Sequence, residues 1–401
     1  MNVETREQSV HAGSSATREE LVARARKLQH LLRRYTAEAE VDYNLSAAAN
    51  TALKNAGLFR MLVPKRFGGH ESNLRTVLEV TEALGEADGS AAWLVGVASV
   101  TSWLAGLASE QAQQDLFGGD PDARLAGGGA PAPARRVEGG YLVSGRWSYS
   151  SGANFAMWAT AAALVVNDEG EVDGVLCLVP ASEMKLEQTW RTVGMRGTGS
   201  DTWIANDVFV PEHRVISMGQ LAKGTWPIPT DEVMYRLPLV PLTSLPLLGP
   251  LLGIGRAALN FVIEKAPAKG MHHTFFTRQC DSVGAQIQIA EAALKLKTAR
   301  LHAYSIADEV DAAAERRKTV DFATRAEYRA AYGYITQQVI DALTTLINVH
   351  GAAAFETSNP LQQYWRDLNT GARHAGLNSF VGYEIYGKSL LGIAVPISPM
   401  V

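Results

Sequence analysis

The strongest constraint on the fold is that the sequence changes its periodicity twice. Residues 17 to about 118 carry apolar side chains at helical spacing. Thr17 and Glu20 form a capping box ahead of Leu21, Val22, Ala25, Leu28, Leu31 and Leu32. Ser46 opens a second helix that Gly57 stops, Pro64 to Gly69 reads as a loop, and further apolar helices start near Asn73 and Ser90. From Gly127 the texture becomes short and β-rich: Tyr141 to Val143, Ala159 to Val166, Gly174 to Val179 and Thr202 to Val210. Turns such as Glu138-Gly139-Gly140 and Asn167-Asp168-Glu169-Gly170 separate these runs. From Leu251 the helical pattern returns and persists through Gln286 to Tyr304, Ala323 to His350 and Gln362 to Leu391. Strands joined by short turns predict a small antiparallel barrel or sandwich, and long helices joined by short loops predict a bundle. The expected class is α+β: an N-terminal α-helical domain over residues 1–125, a central antiparallel β domain over 126–225 and a C-terminal four-helix bundle over 226–401.

One stretch competes with that reading. Leu237 to Gly255 carries no charge across 19 residues, as a membrane span would, but it contains Pro238, Pro241, Pro246 and Pro250. A lone helix in lipid has no water to satisfy the backbone groups that prolines leave open. A buried entry into a helix near Pro250 is the expected structure, with no membrane. The net charge of −4, from 37 basic and 41 acidic residues, leaves no footprint for nucleic acid or an anionic surface. Cys177 and Cys280 are too few for a disulfide framework and suit a reducing cytoplasm, and the polar run Met1 to Ser15 lacks the apolar core of a signal peptide. His70, His272, His273 and His350 show no metal-ligand spacing, so no metal is expected. Neither a Walker loop nor a Gly-x-Ser-x-Gly elbow occurs.

Three segments carry the chemistry. Gly145-Arg146-Trp147-Ser148-Tyr149-Ser150-Ser151-Gly152 directly follows a strand; by itself it also reads as a hairpin corner whose serines satisfy backbone groups. Thr189 to Asp201, leading into Asp207-Val208-Phe209-Val210-Pro211, places three glycines in the six residues from Gly194 to Gly199. That density allows a tight backbone that exposes amides and hydroxyls. It is no dinucleotide loop, because it does not open a helix after a parallel strand. The third segment runs from Asn359-Pro360-Leu361-Gln362 through Arg366-Asp367 to His374.

In this α–β–α order the three segments resemble the acyl-CoA dehydrogenase superfamily over roughly residues 20 to 395. Within it the chain looks most like the flavin-dependent, two-component (group D) monooxygenase branch. The resemblance implies a flavin cleft between the β domain and the C-terminal bundle, and a homotetramer. It also implies reduced flavin delivered by a separate NAD(P)H-dependent reductase, FMN being preferred and FAD the alternative. Oxygen would add at flavin C4a, and a small aromatic, heteroaromatic or nitrogen- or sulfur-containing substrate would be oxygenated. The chain has no nicotinamide-binding βαβ unit of its own, which fits a two-component system.

The resemblance also assigns roles by position. Ser151, with Ser150 as second choice, supplies the hydroxyl at flavin N5, where a fixed hydroxyl donor in a dry pocket holds the oxygen adduct. Gly129, Trp147 and Gly152 belong to the same flavin-facing region. Trp190 walls the flavin or, with equal weight, is a core residue. Thr198 and Ser200 offer polar contacts, and Arg196 either contributes or pins the turn. Arg278 reaches a flavin phosphate across a subunit interface or is a solvent arginine. Asn369 and His374 face the flavin, and His374 is the acid or base near neutrality. Arg366 and Asp367 are expected as a structural ion pair. The dehydrogenase branch carries a Glu-Gly-Thr element after Arg-Asp, and nothing of that kind follows Asp367. Several phenol-hydroxylating relatives carry a histidine in the helix corresponding to Val97 to Leu104, and this chain has none there. Trp93 and Trp103 are expected to line the substrate pocket. The competing readings are an acyl-CoA dehydrogenase with FAD and a displaced base, and a non-catalytic flavin-binding homologue.

Overall fold

The computed structural model describes residues 15–166, 170, 172–222, 225–227, 231–395, 397–398 and 400–401. Residues 167–169 of the expected turn, and nearly all of the polar run Met1 to Ser15, lie outside the described residues. Five helices come first: α1 (Arg18–Asp42), α2 (Ala47–Asn55), α3 (Leu74–Gly85), α4 (Gly89–Ala105) and α5 (Glu110–Phe117). Local chemistry sets their starts. Thr17 and Glu20 close a reciprocal capping box, and Ser46, Asn73, Asp88 and Ser109 each accept a backbone N–H in the first turn. Gly57, at φ 72°, ends the second helical segment in a conformation that a side chain would resist.

The strands are β1 (Leu125–Ala126), β2 (Ala132–Val137), β3 (Gly140–Ser150), β4 (Trp158–Val166), β5 (Val172–Pro180), β6 (Lys185–Glu187), β7 (Asp201–Pro211) and β8 (Val215–Ser217). They pair in the order β6-β7-β3-β2-β4-β5-β8, with β1 beside β4. The β1/β4 and β2/β4 pairs are parallel and the others antiparallel. Trp147 on β3 faces Trp203 on β7, and their indole N–H groups donate to Ala162 and Ala126 carbonyls at 2.8 and 3.0 Å. Both indoles are fully or almost fully buried, so this pair anchors a β-domain core with Val143, Ala161 and Cys177 around it.

The remaining helices are α6 (Met218–Ala222), α7 (Leu239–Lys265), α8 (Val283–Glu315), α9 (Phe322–His350), α10 (Pro360–Gly371) and α11 (Ser379–Leu390). They share one continuous apolar core with the N-terminal helices, in which Leu84, Leu248 and Leu343 all have no exposed surface. The two helical segments of sequence thus fold as one body, with the β domain inserted between them and keeping its own core.

α7 is the spine of that body, and it corrects the sequence reading. The helix begins at Leu239 rather than near Pro250 and runs through Pro246 and Pro250. Pro241 lies in the first turn, where no intrahelical N–H is needed. Pro246 and Pro250 are about one turn apart and so share a face. Pro250 deprives the Pro246 carbonyl of its donor, and that oxygen lies against Gly96 of α4, where an added Cβ would sit 2.8 Å from it. The Pro250 carbonyl lies likewise against Gly85 of α3, at 2.6 Å. Glycine lets the backbones approach, and burial of the charge-free face makes this stretch a core helix rather than a span: 72% of its most apolar window is inside the protein.

Candidate active site

A strained corner builds the first wall. The β3/β7 register shifts once between Val143 and Gly145 and again between Trp147↔Trp203 and Ser150↔Asp201. Tyr149 occupies this bulge at φ 61°, a left-handed backbone that costs a side-chain residue roughly 1–2 kcal/mol. The bulge separates the two serines. Ser150 is fully buried and donates to the Trp147 carbonyl at 2.9 Å, whereas Ser151 is half-buried and its Oγ lies 2.8 Å from Ser200 Oγ. Ser200 Oγ is 2.7 Å from Thr198 Oγ1, which donates to the Met195 carbonyl at 2.8 Å.

This chain has a direction, because each hydroxyl has one proton and the carbonyl has none. Thr198 donates to Met195, so Ser200 donates to Thr198 and Ser151 donates to Ser200. Ser151 therefore turns lone pairs, not a proton, to whatever binds beyond it.

Asp201 fixes the neighbouring loop. Its Oδ1 accepts the backbone N–H groups of Thr189 and Trp190 at 2.9 Å each, and its Oδ2 accepts from Asn154 Nδ2 at 2.8 Å. The Trp190 indole N–H donates to the Met195 carbonyl at 3.0 Å and the ring stands edge-on to Tyr149. Trp190 remains half-buried, so it walls the corner without being core. Asn44 lies beside Gly199, and its Oδ1 is buried with no partner. Arg196 does pin the turn: it donates to the Thr192 and Glu40 carbonyls and stacks over Tyr43.

The second wall centres on His374, which the sequence placed within a helix. The structure breaks that helix: α10 ends at Gly371, and His374 begins a short turn before α11. The break is stabilised locally. His374 Nδ1 accepts the Gly376 N–H at 3.1 Å, and Arg329 of α9 donates to the Ala375 and Gly376 carbonyls at 2.7 and 2.8 Å. An acceptor at Nδ1 puts the proton of the neutral ring on Nε2. The imidazole keeps accessible surface yet is crowded by protein, as a side chain lining a hollow is. That desolvation, with the Arg329 charge second, lowers its pKa from the usual 6.5.

α4 joins the walls. Leu94 lies 3.1 Å from where a Cβ on Gly152 would sit, and Ser90 lies 3.0 Å from that position on Gly197. Trp93 packs against Gly371 and stands edge-on to His374, with ring centroids 5.7 Å apart. The Ser151-Gly152 corner and His374 thus meet consecutive residues of one helix. Beyond Trp93, the α4 residues that keep partial exposure are Val97, Val100 and Leu104, a single apolar stripe. α7 runs antiparallel beside it, Gly89 meeting Ile254 and Gly96 meeting Pro246. Half-buried Leu239 and Thr243 therefore lie level with Leu104 and Val100.

Other expected site residues lie elsewhere. Trp103 is 2% exposed, donates to the Met234 carbonyl at 2.7 Å and packs on Tyr235; it is core and lines no pocket. The Trp147 ring is likewise sealed in the β core, and only its backbone reaches Gly129, which sits at φ 73° against Ser148. Asn369 bonds within its own helix, to the Trp365 carbonyl and to Arg373. Arg278 is exposed and pairs with Asp281 at 3.3 Å, next to fully exposed Phe275. Arg366 and Asp367 are not an ion pair. Arg366 bridges to Glu40 at 2.7 Å, while Asp367 is buried and accepts the Met195 N–H at 2.5 Å, tying α10 to the glycine loop.

Hollows of about 620 and 500 Å3 open away from both walls. The first is lined by residues including Arg66, Gln113, His213 and Trp226, and the second by residues including His70, Asn73 and Asp311. Among the described residues, no group of three His, Cys, Asp or Glu side chains could hold a metal. Asn44, Asn154, Arg329 and Gly376 were missed by sequence reasoning. Asn154 and Gly376 sit beside quoted motifs, but Asn44 and Arg329 carry no local signal.

This arrangement is that of the acyl-CoA dehydrogenase fold, and comparison places the chain within it. The acyl-CoA dehydrogenase N-terminal domain family matches residues 15–118 and the C-terminal domain family matches residues 247–379. The chain is 32% identical to the flavin-dependent monooxygenase oxygenase subunit HsaA of Rhodococcus jostii (strain RHA1), over 86% of this chain and 91% of that protein. It is 30% identical to the oxygenase component of the FADH(2)-dependent resorcinol hydroxylase of Rhizobium sp. (strain MTP-10005), over 93% and 94%. XiaF from Streptomyces sp., solved with FADH2 and glycerol, superposes with a TM-score of 0.91 at 36% identity, covering 96% of this chain and 98% of that one. The chain belongs to the acyl-CoA dehydrogenase superfamily, in its branch of flavin-dependent monooxygenase oxygenase components.

Proposed function

We propose that the protein binds reduced flavin from a separate reductase and uses it with dioxygen to insert one oxygen atom into an apolar aromatic small molecule. The observation that carries this reading is the directional hydroxyl chain ending at Ser151. Its lone pairs suit an N–H donor, as at N5 of reduced flavin, and meet a lone pair at N5 of oxidised flavin. The partnerless Asn44 Oδ1 behind Gly199 is a further acceptor on the same wall. Ser151, Trp190, Thr198, Ser200 and Gly152 would hold the ring, with His374 opposite. When bound, reduced flavin supplies the two electrons that activate dioxygen for transfer.

The protein's own part is positioning and hydrogen bonding. Ser151 orients the ring edge. His374, neutral with its proton on Nε2 and with Nδ1 already bonded, would act as a hydrogen-bond donor toward oxygen rather than as a base. Trp93, Val97, Val100 and Leu104 offer the substrate an apolar floor and keep water from the reacting atoms. The absence of a histidine on that stripe disfavours substrates that need a charged partner there.

The same reading makes the protein a cytoplasmic homotetramer. Val283, Ile287, Leu294 and Leu301 form one exposed apolar stripe on α8, and Phe380 and Leu390 on α11 are also exposed, which suits burial against further copies. Such a partner would bring Arg278 to a neighbouring flavin phosphate. Both cysteines are free thiols, as in a reducing compartment.

The test is reconstitution without any reductase. Protein mixed with chemically reduced FAD, the cofactor named for two of its relatives, or with reduced FMN in a second arm, should convert a panel of uncharged phenols and fused-ring aromatics. One atom from labelled dioxygen should appear in the product per flavin oxidised. Failure to bind either reduced flavin, or bleaching of bound FAD by an acyl-CoA without oxygen, would overturn the reading.

A further inference from the structure

We propose that Arg329 is a positioning residue that sets the orientation and tautomer of His374 by clamping the turn that follows it. Arg329 is only 4% exposed, and among the described residues no carboxylate pairs with it. A buried guanidinium without a counter-ion is costly, so its hydrogen bonds must compensate. Both donating nitrogens go to consecutive carbonyls, those of Ala375 and Gly376. The planar fork of arginine matches two adjacent oxygens, and lysine cannot reproduce it.

The clamp acts on His374 through one peptide. Holding the Ala375 and Gly376 carbonyls fixes the Gly376 amide, whose N–H donates to His374 Nδ1 at 3.1 Å. Glycine leaves this turn uncrowded: an added Cβ at Gly376 would lie 3.1 Å from Ser244 Oγ and 3.2 Å from His374 Nδ1 and would press on both. Arg329 is itself seated by close helix contact, since an added Cβ on Gly382 of α11 would lie 2.5 Å from its carbonyl. The order of control runs from α9 to the turn, from the turn to the amide, and from the amide to the ring.

Two consequences follow. The ring presents Nε2–H to the cleft. Protonation of Nδ1 would set N–H against N–H, which together with the nearby guanidinium holds the imidazole neutral. Trp93 of α4, edge-on to the ring, and Ser244 of α7, beside Gly376, are uncharged, and Arg329 is the charged group that acts on the imidazole.

This proposal rests on the oxygenase reading only for its catalytic consequence, so the experiment separates the two. Imidazole nitrogen NMR on histidine-labelled protein, assigned with His374→Gln, reports tautomer and titration directly. In the native protein His374 should show a single Nε2–H form. In Arg329→Gln it should show both tautomers and titrate at a higher pH than in the native protein. Arg329→Lys should keep the low titration but lose the single tautomer, which a merely structural residue would not produce. If Arg329→Gln does not fold, Gly376→Ala disturbs the same amide with the guanidinium intact and should also mix the tautomers. A single unchanged tautomer in the folded variants overturns the proposal. Mixed tautomers with undiminished product per flavin oxidised would uphold the clamp and remove His374 from the chemistry.

Discussion

Ser151 and His374 meet the same helix, yet they are held in different ways. On the β wall the partners come from two neighbouring segments of one domain: Ser151 bonds Ser200 across the β3/β7 pair, and Ser200, Thr198 and Met195 are bonded in turn within one loop. On the helical wall the partners are scattered. His374 has its ring beside Trp93 of α4, its turn clamped by Arg329 of α9 and its glycine pressed on Ser244 of α7. The first wall is held by hydrogen bonds among its own residues, with Thr198 and Ser200 buried behind Ser151. The second is set by tertiary packing, and one substitution far along the chain can move it. A relay of neutral hydroxyls tunes which partner binds; an imidazole held by distant elements aims its N–H at developing charge.

The largest expected effect tests that division of labour. Removing a preorganised hydrogen-bond donor aimed at charge that develops in the transition state typically costs about 10²–10³-fold, and losing one ground-state neutral hydrogen bond costs about tenfold. His374→Ala should therefore lower oxygenated product per flavin oxidised by about 100-fold or more, with flavin binding little changed. Ser151→Ala should weaken reduced-flavin binding about tenfold and release more hydrogen peroxide. Measuring product, peroxide and flavin affinity in both variants decides it. Equal defects in all three would dissolve the distinction between the walls.

The division also decided what could be read from the sequence. The strand-corner serines, the glycine loop and the caps at Thr17, Ser46 and Asn73 were legible because each lies in one short segment whose chemistry is local. The start of α7 was misread because proline was weighed as a helix breaker, whereas Gly85 and Gly96 on other helices accept its displaced backbone. The helix break at His374 was invisible because its cause, Arg329, lies on α9 and reaches the turn only through tertiary packing. Trp103 and Trp147 were placed at the site from their type and neighbourhood. Only burial shows that their indoles serve core carbonyls instead.

Asp367 links the two walls and gives the intermediate effect. Burial first, opposed by the Met195 N–H, raises its pKa to about 7 from 3.8, and the nearby Glu40 and Asp88 act in the same direction as burial. Between about pH 4 and 7 the unfolded chain holds the carboxylate while the folded one keeps its proton. Stability therefore falls as pH rises through that window and levels off above it, by on the order of 2–4 kcal/mol. Asp367→Asn keeps an oxygen for Met195 and removes the titration. Urea unfolding at pH 5 and pH 8 should show a smaller loss on alkalinisation than in the native protein. Identical losses would mean that the loop and α10 are not coupled through this carboxyl.

The smallest effect is the most specific to the β wall. Thr198→Val preserves shape and deletes the hydroxyl that gives the chain its direction. The Met195 carbonyl keeps the Trp190 indole as donor, so the loop retains a bond there. Ser200 then loses its acceptor and can donate to Ser151, which frees the Ser151 proton to point outward. Ser151 then serves a lone pair as well as an N–H. Native protein should bind reduced flavin more tightly than oxidised flavin, and the variant should compress that ratio about tenfold, mainly by binding the oxidised form better. Anaerobic and aerobic titrations of the same preparation measure it without turnover. A ratio that does not move would show that Ser151 does not take its polarity from Thr198, leaving the helical wall to choose the redox state.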